Sequence, residues 1–97
     1  MKIKTKSGFE CEINERKFSD WRYLEASAKV NSTDTKAILD GIVFLVPFIL
    51  GEDGKNALMN HLKDDDGIVE TASILAEFRE IEDLVGKKVK KSKPSSD

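Results

Sequence analysis

The first thirteen residues alternate between apolar and charged side chains, which predicts a β-hairpin. Apart from the turn at Ser7-Gly8, apolar residues or threonine and cysteine occupy odd positions, and lysine or glutamate occupies even positions. This period of two is typical of half-buried strands. A three-residue loop, Lys6-Ser7-Gly8, keeps the two faces separate, because directly paired residues of an antiparallel ladder point the same way. On the core face, the predicted pairs are Thr5 with Phe9 and Ile3 with Cys11. On the solvent-exposed face, they are Lys4 with Glu10 and Lys2 with Glu12.

The chain after Asn14 has the spacing of helices. A first helix is predicted from about Asp20 to Val30, with Ser19 or Asp20 as its N-cap. Apolar side chains recur in it at intervals of three and four, so we expect one stripe to lie on the hairpin. The members of that stripe are Phe18, Trp21, Leu24 and Ala28. Residues 31–33 are predicted to break the helix.

Three further helices follow in the sequence-based prediction. The second, capped by Thr33, Asp34 or Thr35, runs to Leu50, with a kink or restart at Pro47 and an end at Gly51. The third is short, is capped by Asp53, and holds Ala57, Leu58 and Leu62. The fourth carries the stripe Ile74, Phe78, Ile81 and Val85, and ends before Gly86. The expected fold class is therefore α+β: an N-terminal β-hairpin followed by about four α-helices in a single small domain, residues 1–86.

Charge divides the chain at Gly86. Residues 1–86 carry 11 basic and 17 acidic side chains, a net charge of −6, whereas residues 87–97 carry five lysines and one aspartate. Because this last segment has almost no apolar content, it is predicted to be a disordered lysine-rich tail. The overall composition, 39% hydrophobic and 35% charged, is that of a soluble globular protein. The first residues lack the pattern of a secretory signal, so we expect a cytoplasmic location.

The search for catalytic or ligand-binding motifs predicts no enzyme, no cofactor and no metal site. A single cysteine, Cys11, excludes an internal disulfide and a cysteine-based zinc site. The single histidine, His61, is not expected to meet Cys11, and no glycine-rich nucleotide-binding motif occurs. The triplet Asp64 to Asp66 does not continue as a calcium-binding loop, since Ile68 and Val69 stand where a ligand and a glycine are needed.

The most distinctive segment is the apolar run from Ile42 to Leu50. Its nine residues are too few to cross a bilayer, which needs about 20. A helix that is apolar on every side is hard to bury completely in a domain of this size. Two interpretations remain open: burial in the core, or a partly exposed surface that binds a partner's apolar segment or a second copy of the chain.

Several short clusters resemble the tail assembly chaperones of long-tailed, siphovirus-type bacteriophages and prophages. The resemblance covers residues 2 to 85. It rests on residues 3–10 (Ile-Lys-Thr-Lys-Ser-Gly-Phe-Glu), 20–24 (Asp-Trp-Arg-Tyr-Leu), 49–52 (Ile-Leu-Gly-Glu), 57–62 (Ala-Leu-Met-Asn-His-Leu) and 65–69 (Asp-Asp-Gly-Ile-Val).

The resemblance implies a non-enzymatic protein of the host bacterial cytoplasm that is not in the mature virion. Such chaperones bind the long tape measure protein, keep it soluble and help to recruit tail tube subunits during tail morphogenesis. Many also have a longer form made by a ribosomal frameshift, with which lysine codons near the end of the frame are compatible. On this hypothesis the partner-binding residues are the exposed members of Ile42, Phe44, Leu45, Phe48 and Ile49, with Trp21 or Tyr23 at the rim.

Two alternatives accompany this hypothesis. Self-association through the same apolar helix would give a homo-oligomer. A different class of function is a small phage or prophage regulatory protein that contacts nucleic acid through Lys87 to Lys93. The net charge of −6 on residues 1–86 and the lack of aromatic residues among these lysines make nucleic-acid binding the weaker expectation.

Overall fold

The computed structural model describes the backbone of residues 1–92 and the side chains of residues 1–88. Two strands, β1 (Lys2–Lys4) and β2 (Glu10–Glu12), are followed by a 3₁₀ helix (Glu15–Ser19) and by three α-helices. The α-helices are α1 (Trp21–Val30), α2 (Thr35–Leu62) and α3 (Thr71–Ser92). The α+β class is therefore confirmed, with three α-helices where about four were predicted.

The hairpin has the predicted register. Lys2 pairs with Glu12, Ile3 with Cys11 and Lys4 with Glu10. The loop is closed by two hydrogen bonds between Thr5 and its neighbours: its N–H donates to the Phe9 carbonyl at 2.9 Å, and its carbonyl accepts from the Gly8 N–H at 3.0 Å. Gly8 has a φ of 95°, which side-chain-bearing residues rarely adopt. Ile3, Thr5 and Phe9 are all buried.

The predicted orientation of α1 is wrong. Asp20 is its N-cap as expected, but Trp21 and Leu24 are exposed, and α1 packs mainly against α2. Its buried residue is Ala26, at the point where α1 comes close to Gly41. A Cβ atom at Gly41 would lie 2.7 Å from the Ala26 carbonyl oxygen. The missing side chain of Gly41 thus lets the two backbones approach, and this contact, rather than the predicted stripe, orients α1.

The second and third predicted helices together form α2, which is interrupted at Gly51, where the second helix was predicted to end. Asp34 caps it, and the helix continues through Pro47 to an interruption at Gly51, where φ is 77° and ψ is 168°. The break therefore lies four residues after the proline. Pro47 removes one backbone donor without interrupting the helix, whereas the positive φ of Gly51 is incompatible with a continuous α-helix.

Helix α3 completes the core. Phe78, Ile81 and Val85 are buried as predicted, and Ile74 is half-buried at the start of the same stripe. They pack with the inward face of the hairpin and with Leu45, Ile49 and Leu58 of α2, among others. The predicted end before Gly86 is wrong, since α3 continues to Ser92. Residues 93–97 of the predicted tail lie outside the described residues.

Candidate partner-binding surfaces

Three of the predicted anchor residues belong to the core. Ile42, Leu45 and Ile49 have exposed fractions of 5%, 1% and 2%. They lie on the side of α2 that faces the hairpin and α3, and they form part of one apolar cluster. A partner cannot reach Leu45 or Ile49 without unfolding the domain, whereas the small exposed part of Ile42 lines a groove on the flank of α2. The half of the apolar run that remains for binding is therefore the other side of the helix.

The outer side of α2 presents two aromatic rings beside α1. Phe44 is 40% exposed and Phe48 is half-buried, and their rings stack with centroids 5.2 Å apart. The guanidinium of Arg22 lies 4.9 Å from the centroid of the Phe48 ring. Trp21, the preceding residue in α1, is 68% exposed. We call the three residues whose side chains are in contact, Arg22, Phe44 and Phe48, the aromatic surface.

The polar neighbours of the aromatic surface hold it in place. Arg22 donates from Nε and from a terminal nitrogen to the two carboxylate oxygens of Asp20, at 3.0 and 2.9 Å. Together with the Arg22 backbone N–H, these bonds lower the pKa of Asp20 to about 2. Asp20 therefore caps α1 and fixes the guanidinium that covers one side of Phe48. The aromatic surface is thus preorganised, which reduces the entropy lost on binding.

Tyr23 lies in a different position from the other predicted aromatic residues. It is half-buried, its ring packs 4.8 Å from that of Phe18, and its hydroxyl donates to Glu82 of α3 at 2.6 Å. Burial, and then the hydrogen bond to Glu82, raise the pKa of Tyr23 well above its ordinary value. The contacts of Tyr23 therefore fasten α1 to α3, and only its exposed edge could meet a partner.

A second apolar surface, which the sequence analysis missed, lies on the other flank of α2. It is a groove of about 440 Å³ between the two halves of α2 and the start of α3. Its exposed members are Val43 (71%), Leu39 (40%) and Met59 (40%). The groove is lined by Leu39, Ile42, Val43, Val46, Pro47, Lys55, Met59, Val69, Thr71 and Ile74. The sequence does indicate this surface, because Leu39, Val43 and Pro47 recur at intervals of four and therefore share one side of a helix.

The most connected polar side chains lie at the tip of the hairpin. Glu77 of α3, only 7% exposed, accepts hydrogen bonds from Thr5 Oγ1 at 2.5 Å and from Ser7 Oγ at 2.8 Å. His61 Nε2 lies 3.0 Å from Ser7 Oγ and 3.1 Å from the Ser7 carbonyl oxygen. In a Ser-His-Asp catalytic triad, the histidine lies between the serine and the carboxylate. Here Ser7 lies between His61 and Glu77 and donates to Glu77, so these side chains do not have the order of a triad. They connect the hairpin loop to α2 and α3.

Two further observations concern ligands and membranes. Among residues 1–92, no three histidine, cysteine, aspartate or glutamate side chains are grouped so that they could hold a metal ion. His61 contacts the hairpin loop and the ring of Phe9 instead of Asp64. Within the same described stretch, no helix combines the length and the apolar character needed to span a membrane.

Comparison with known proteins adds no relative from which a function could be transferred. The chain matches no known protein family, no curated protein and no solved structure.

Proposed function

We propose that this protein is a phage tail assembly chaperone that binds the tape measure protein, keeps it soluble and helps to recruit tail tube subunits. The observation that carries the proposal is the exposed apolar side of α2. An isolated exposed apolar residue is ordinary, but contiguous apolar surface on a small domain marks an interaction site. Here Val43, Phe44 and Leu39 of one helix are all at least 40% exposed.

The shape and rigidity of this side suit a helical partner. Stacked Phe44 and Phe48 on one flank and the groove on the other offer bulky aromatic and aliphatic contacts to an amphipathic helix. Aromatic residues and arginine are the side chains that most often dominate binding energy. A tape measure protein, being long, helical and prone to aggregate, is a partner with many such apolar faces to cover.

The charge of the domain is consistent with a role in keeping a partner soluble. Residues 1–86 carry a net charge of −6. Net charge far from zero opposes association between like complexes, so a tape measure protein covered by several copies would repel others. The resemblance of residues 2 to 85 to tail assembly chaperones supplies the identity of the partner, and the exposed surface supplies a mechanism for binding it.

The gene neighbourhood is the first test of the proposal. Sequencing through and beyond codons 86–97 should reveal a slippery heptamer at the lysine codons, an overlapping frame and a very long frame encoding a helical protein. Finding the gene among regulators, with no long frame nearby, would contradict the proposal. The regulatory alternative would then be tested by deleting residues 87–97, which should abolish salt-sensitive nucleic-acid binding.

Self-association through α2 is tested separately. Light scattering over a range of concentrations measures the mass of the free protein. A monomer at all concentrations leaves the apolar side of α2 available to a partner, whereas a stable oligomer that buries Phe44 would assign that side to a homo-oligomer.

A further inference from the structure

The chain segment that forms most of the groove on α2 is acidic. Residues 35–71 comprise α2, the loop after it and the first residue of α3, and they contain seven acidic residues and three lysines. All seven carboxylate residues are exposed. They are Asp40, Glu52, Asp53, Asp64, Asp65, Asp66 and Glu70. This segment supplies every lining residue of the groove except Ile74, and it carries a net charge of −4, with histidine taken as neutral.

Four of these carboxylates lie beside the groove or beside a hollow that adjoins it. Glu70 stands between Val69 and Thr71, which both line the groove, whereas Asp40 lines a separate hollow beside α1 with Arg22 and Phe44. A shallower hollow of about 520 Å³ adjoins the groove, since Met59 and Val69 line both. The loop of three aspartates lies between two residues that line this hollow, Lys63 and Gly67.

Two of the three lysines form salt bridges with carboxylates of the same segment. Lys36 forms a salt bridge with Asp40 at 3.0 Å, and Lys55 forms one with Glu52 at 3.3 Å. Within the described residues, the other five carboxylates of the segment take part in no salt bridge. The groove thus combines an apolar lining, in which Lys55 is the charged residue, with an acidic rim formed by Glu70 and the loop of three aspartates.

We infer that this groove binds an amphipathic helix whose apolar face is flanked by lysine or arginine. The aliphatic floor of Leu39, Val43 and Met59 accepts side chains spaced one helical turn apart, and the rim attracts the flanking cations. A second copy of this chain is a poorer occupant because its own residues 1–86 carry a net charge of −6. The inference rests on the proposed function and names the chemistry of the segment that the chaperone holds.

Two synthetic helical peptides test the inference with the full-length protein. Both carry the same leucine stripe, and one is flanked by lysine and the other by glutamate. We expect the lysine peptide to bind at least about tenfold more tightly at low salt, with the difference shrinking as salt is added. Fluorescence anisotropy of labelled peptides measures both dissociation constants.

Amino-acid substitutions test whether the lysine peptide binds in this groove. Val43→Asp, and independently Met59→Glu, should weaken binding of the lysine peptide by about tenfold or more. Leu24→Asp is the matched control, since Leu24 is 56% exposed on α1 and does not line the groove. Replacing Asp65 and Asp66 by asparagine and Glu70 by glutamine in one variant should reduce the preference for lysine over glutamate. Circular dichroism and thermal melting confirm that each variant is folded.

Two results would overturn the inference: equal affinity for the two peptides, or unchanged binding of the lysine peptide by folded Val43→Asp and Met59→Glu proteins. Its failure is distinguishable from that of the proposed function. If Phe44→Asp abolishes protection of the tape measure protein while both peptides bind alike, the chaperone function stands and the groove inference falls. If the lysine peptide binds as expected but the tape measure protein is never kept soluble, the groove inference stands and the chaperone function falls.

Discussion

Lys17 donates a hydrogen bond of 2.8 Å from its Nζ to the carbonyl oxygen of Phe48. The same ammonium lies 5.5 Å from the centroid of the Phe48 ring. Gly51 interrupts α2 three residues later, so the Phe48 carbonyl belongs to the last turn of the first half, where carbonyls lack helical partners. A cation there also faces the negative end of the helix dipole. Lys17 therefore caps an interrupted helix and holds Phe48 at the aromatic surface.

Replacing Lys17 by methionine tests this capping role. Lys17→Met keeps most of the apolar stem and removes the donor and the charge, so we expect the free energy of unfolding to fall by about 1–2 kcal/mol. Urea unfolding followed by circular dichroism measures the change. Lys6→Met is the matched control, because the Lys6 side chain is exposed on the hairpin loop and should change the stability by less than about 0.5 kcal/mol. Equal stability of the two variants would contradict the capping role.

The close approach of α1 and α2 makes Gly41 intolerant of a side chain. In Gly41→Ala the new Cβ would lie 2.7 Å from the Ala26 carbonyl oxygen and 2.8 Å from a methyl carbon of Val30. Although alanine favours a helix, this overlap should lower the free energy of unfolding by about 1–2 kcal/mol.

Gly86→Ala is the control for helix propensity alone. A Cβ at Gly86 of α3 would meet no atom within 4 Å beyond its chain neighbours and the backbone of its own helix, so this change should stabilise the protein by about 0.5–1 kcal/mol. Thermal melting of both variants gives the comparison. A Gly41→Ala protein as stable as Gly86→Ala would show that the helices do not meet at Gly41.

The buried carboxylate of Glu77 should couple the hairpin loop to α3. Glu77→Gln removes the charged acceptor of the Thr5 and Ser7 hydroxyl groups, and we expect a loss of about 1–2 kcal/mol in the free energy of unfolding. A double-mutant cycle with Ser7→Ala should give a coupling energy of about 1 kcal/mol. Glu25→Gln, at an exposed position of α1, serves as the control. Additive effects of the two substitutions would contradict the coupling.

Stability should decrease at alkaline pH because of Tyr23. Its pKa in the folded protein is raised, by burial first and by Glu82 second, so the unfolded state releases the phenolic proton at a lower pH. The stability that Tyr23 contributes is therefore complete below the ordinary tyrosine pKa of about 10 and is lost progressively above it. Tyr23→Phe should make unfolding less dependent on pH in that range.

The single tyrosine makes the alkaline prediction easy to measure. Tyrosinate absorbance reports Tyr23 alone, since the chain contains one tyrosine. We expect the absorbance to rise only together with unfolding as followed by circular dichroism. Ionisation near pH 10 in a protein that is still folded would contradict the buried contact with Glu82.

The sequence predicts those parts of the fold that depend on local patterning. The hairpin register follows from the alternation of residues 2–13, because a three-residue loop keeps Ile3 and Cys11 on one face and a two-residue loop does not. The stripe of α3 follows in the same way from the spacing of Phe78, Ile81 and Val85. These elements have one apolar face each, so periodicity alone determines which side is buried.

The orientation of α1 and the course of α2 depend on contacts between distant residues. Helix α1 has apolar residues on two sides. Ala26 is buried and Leu24 is exposed because Gly41, 15 positions after Ala26 in the chain, lets α2 approach α1 at Ala26. The apolar run of α2 has no polar side that could indicate its buried face. For that reason Ile42, Leu45 and Ile49 could not be separated from Phe44 before the fold was known, and the groove around Val43 was missed.

Co-expression with the tape measure protein is the measurement that tests the central claim most directly. The amount of soluble tape measure protein is compared for the unchanged chain, for Phe44→Asp on the aromatic surface, and for Leu24→Asp as an exposed control on α1. We predict that the unchanged chain and the control keep the tape measure protein soluble, whereas folded Phe44→Asp protein leaves most of it insoluble. Equal soluble yields with Phe44→Asp and with the unchanged chain would contradict the assignment of partner binding to this side of α2.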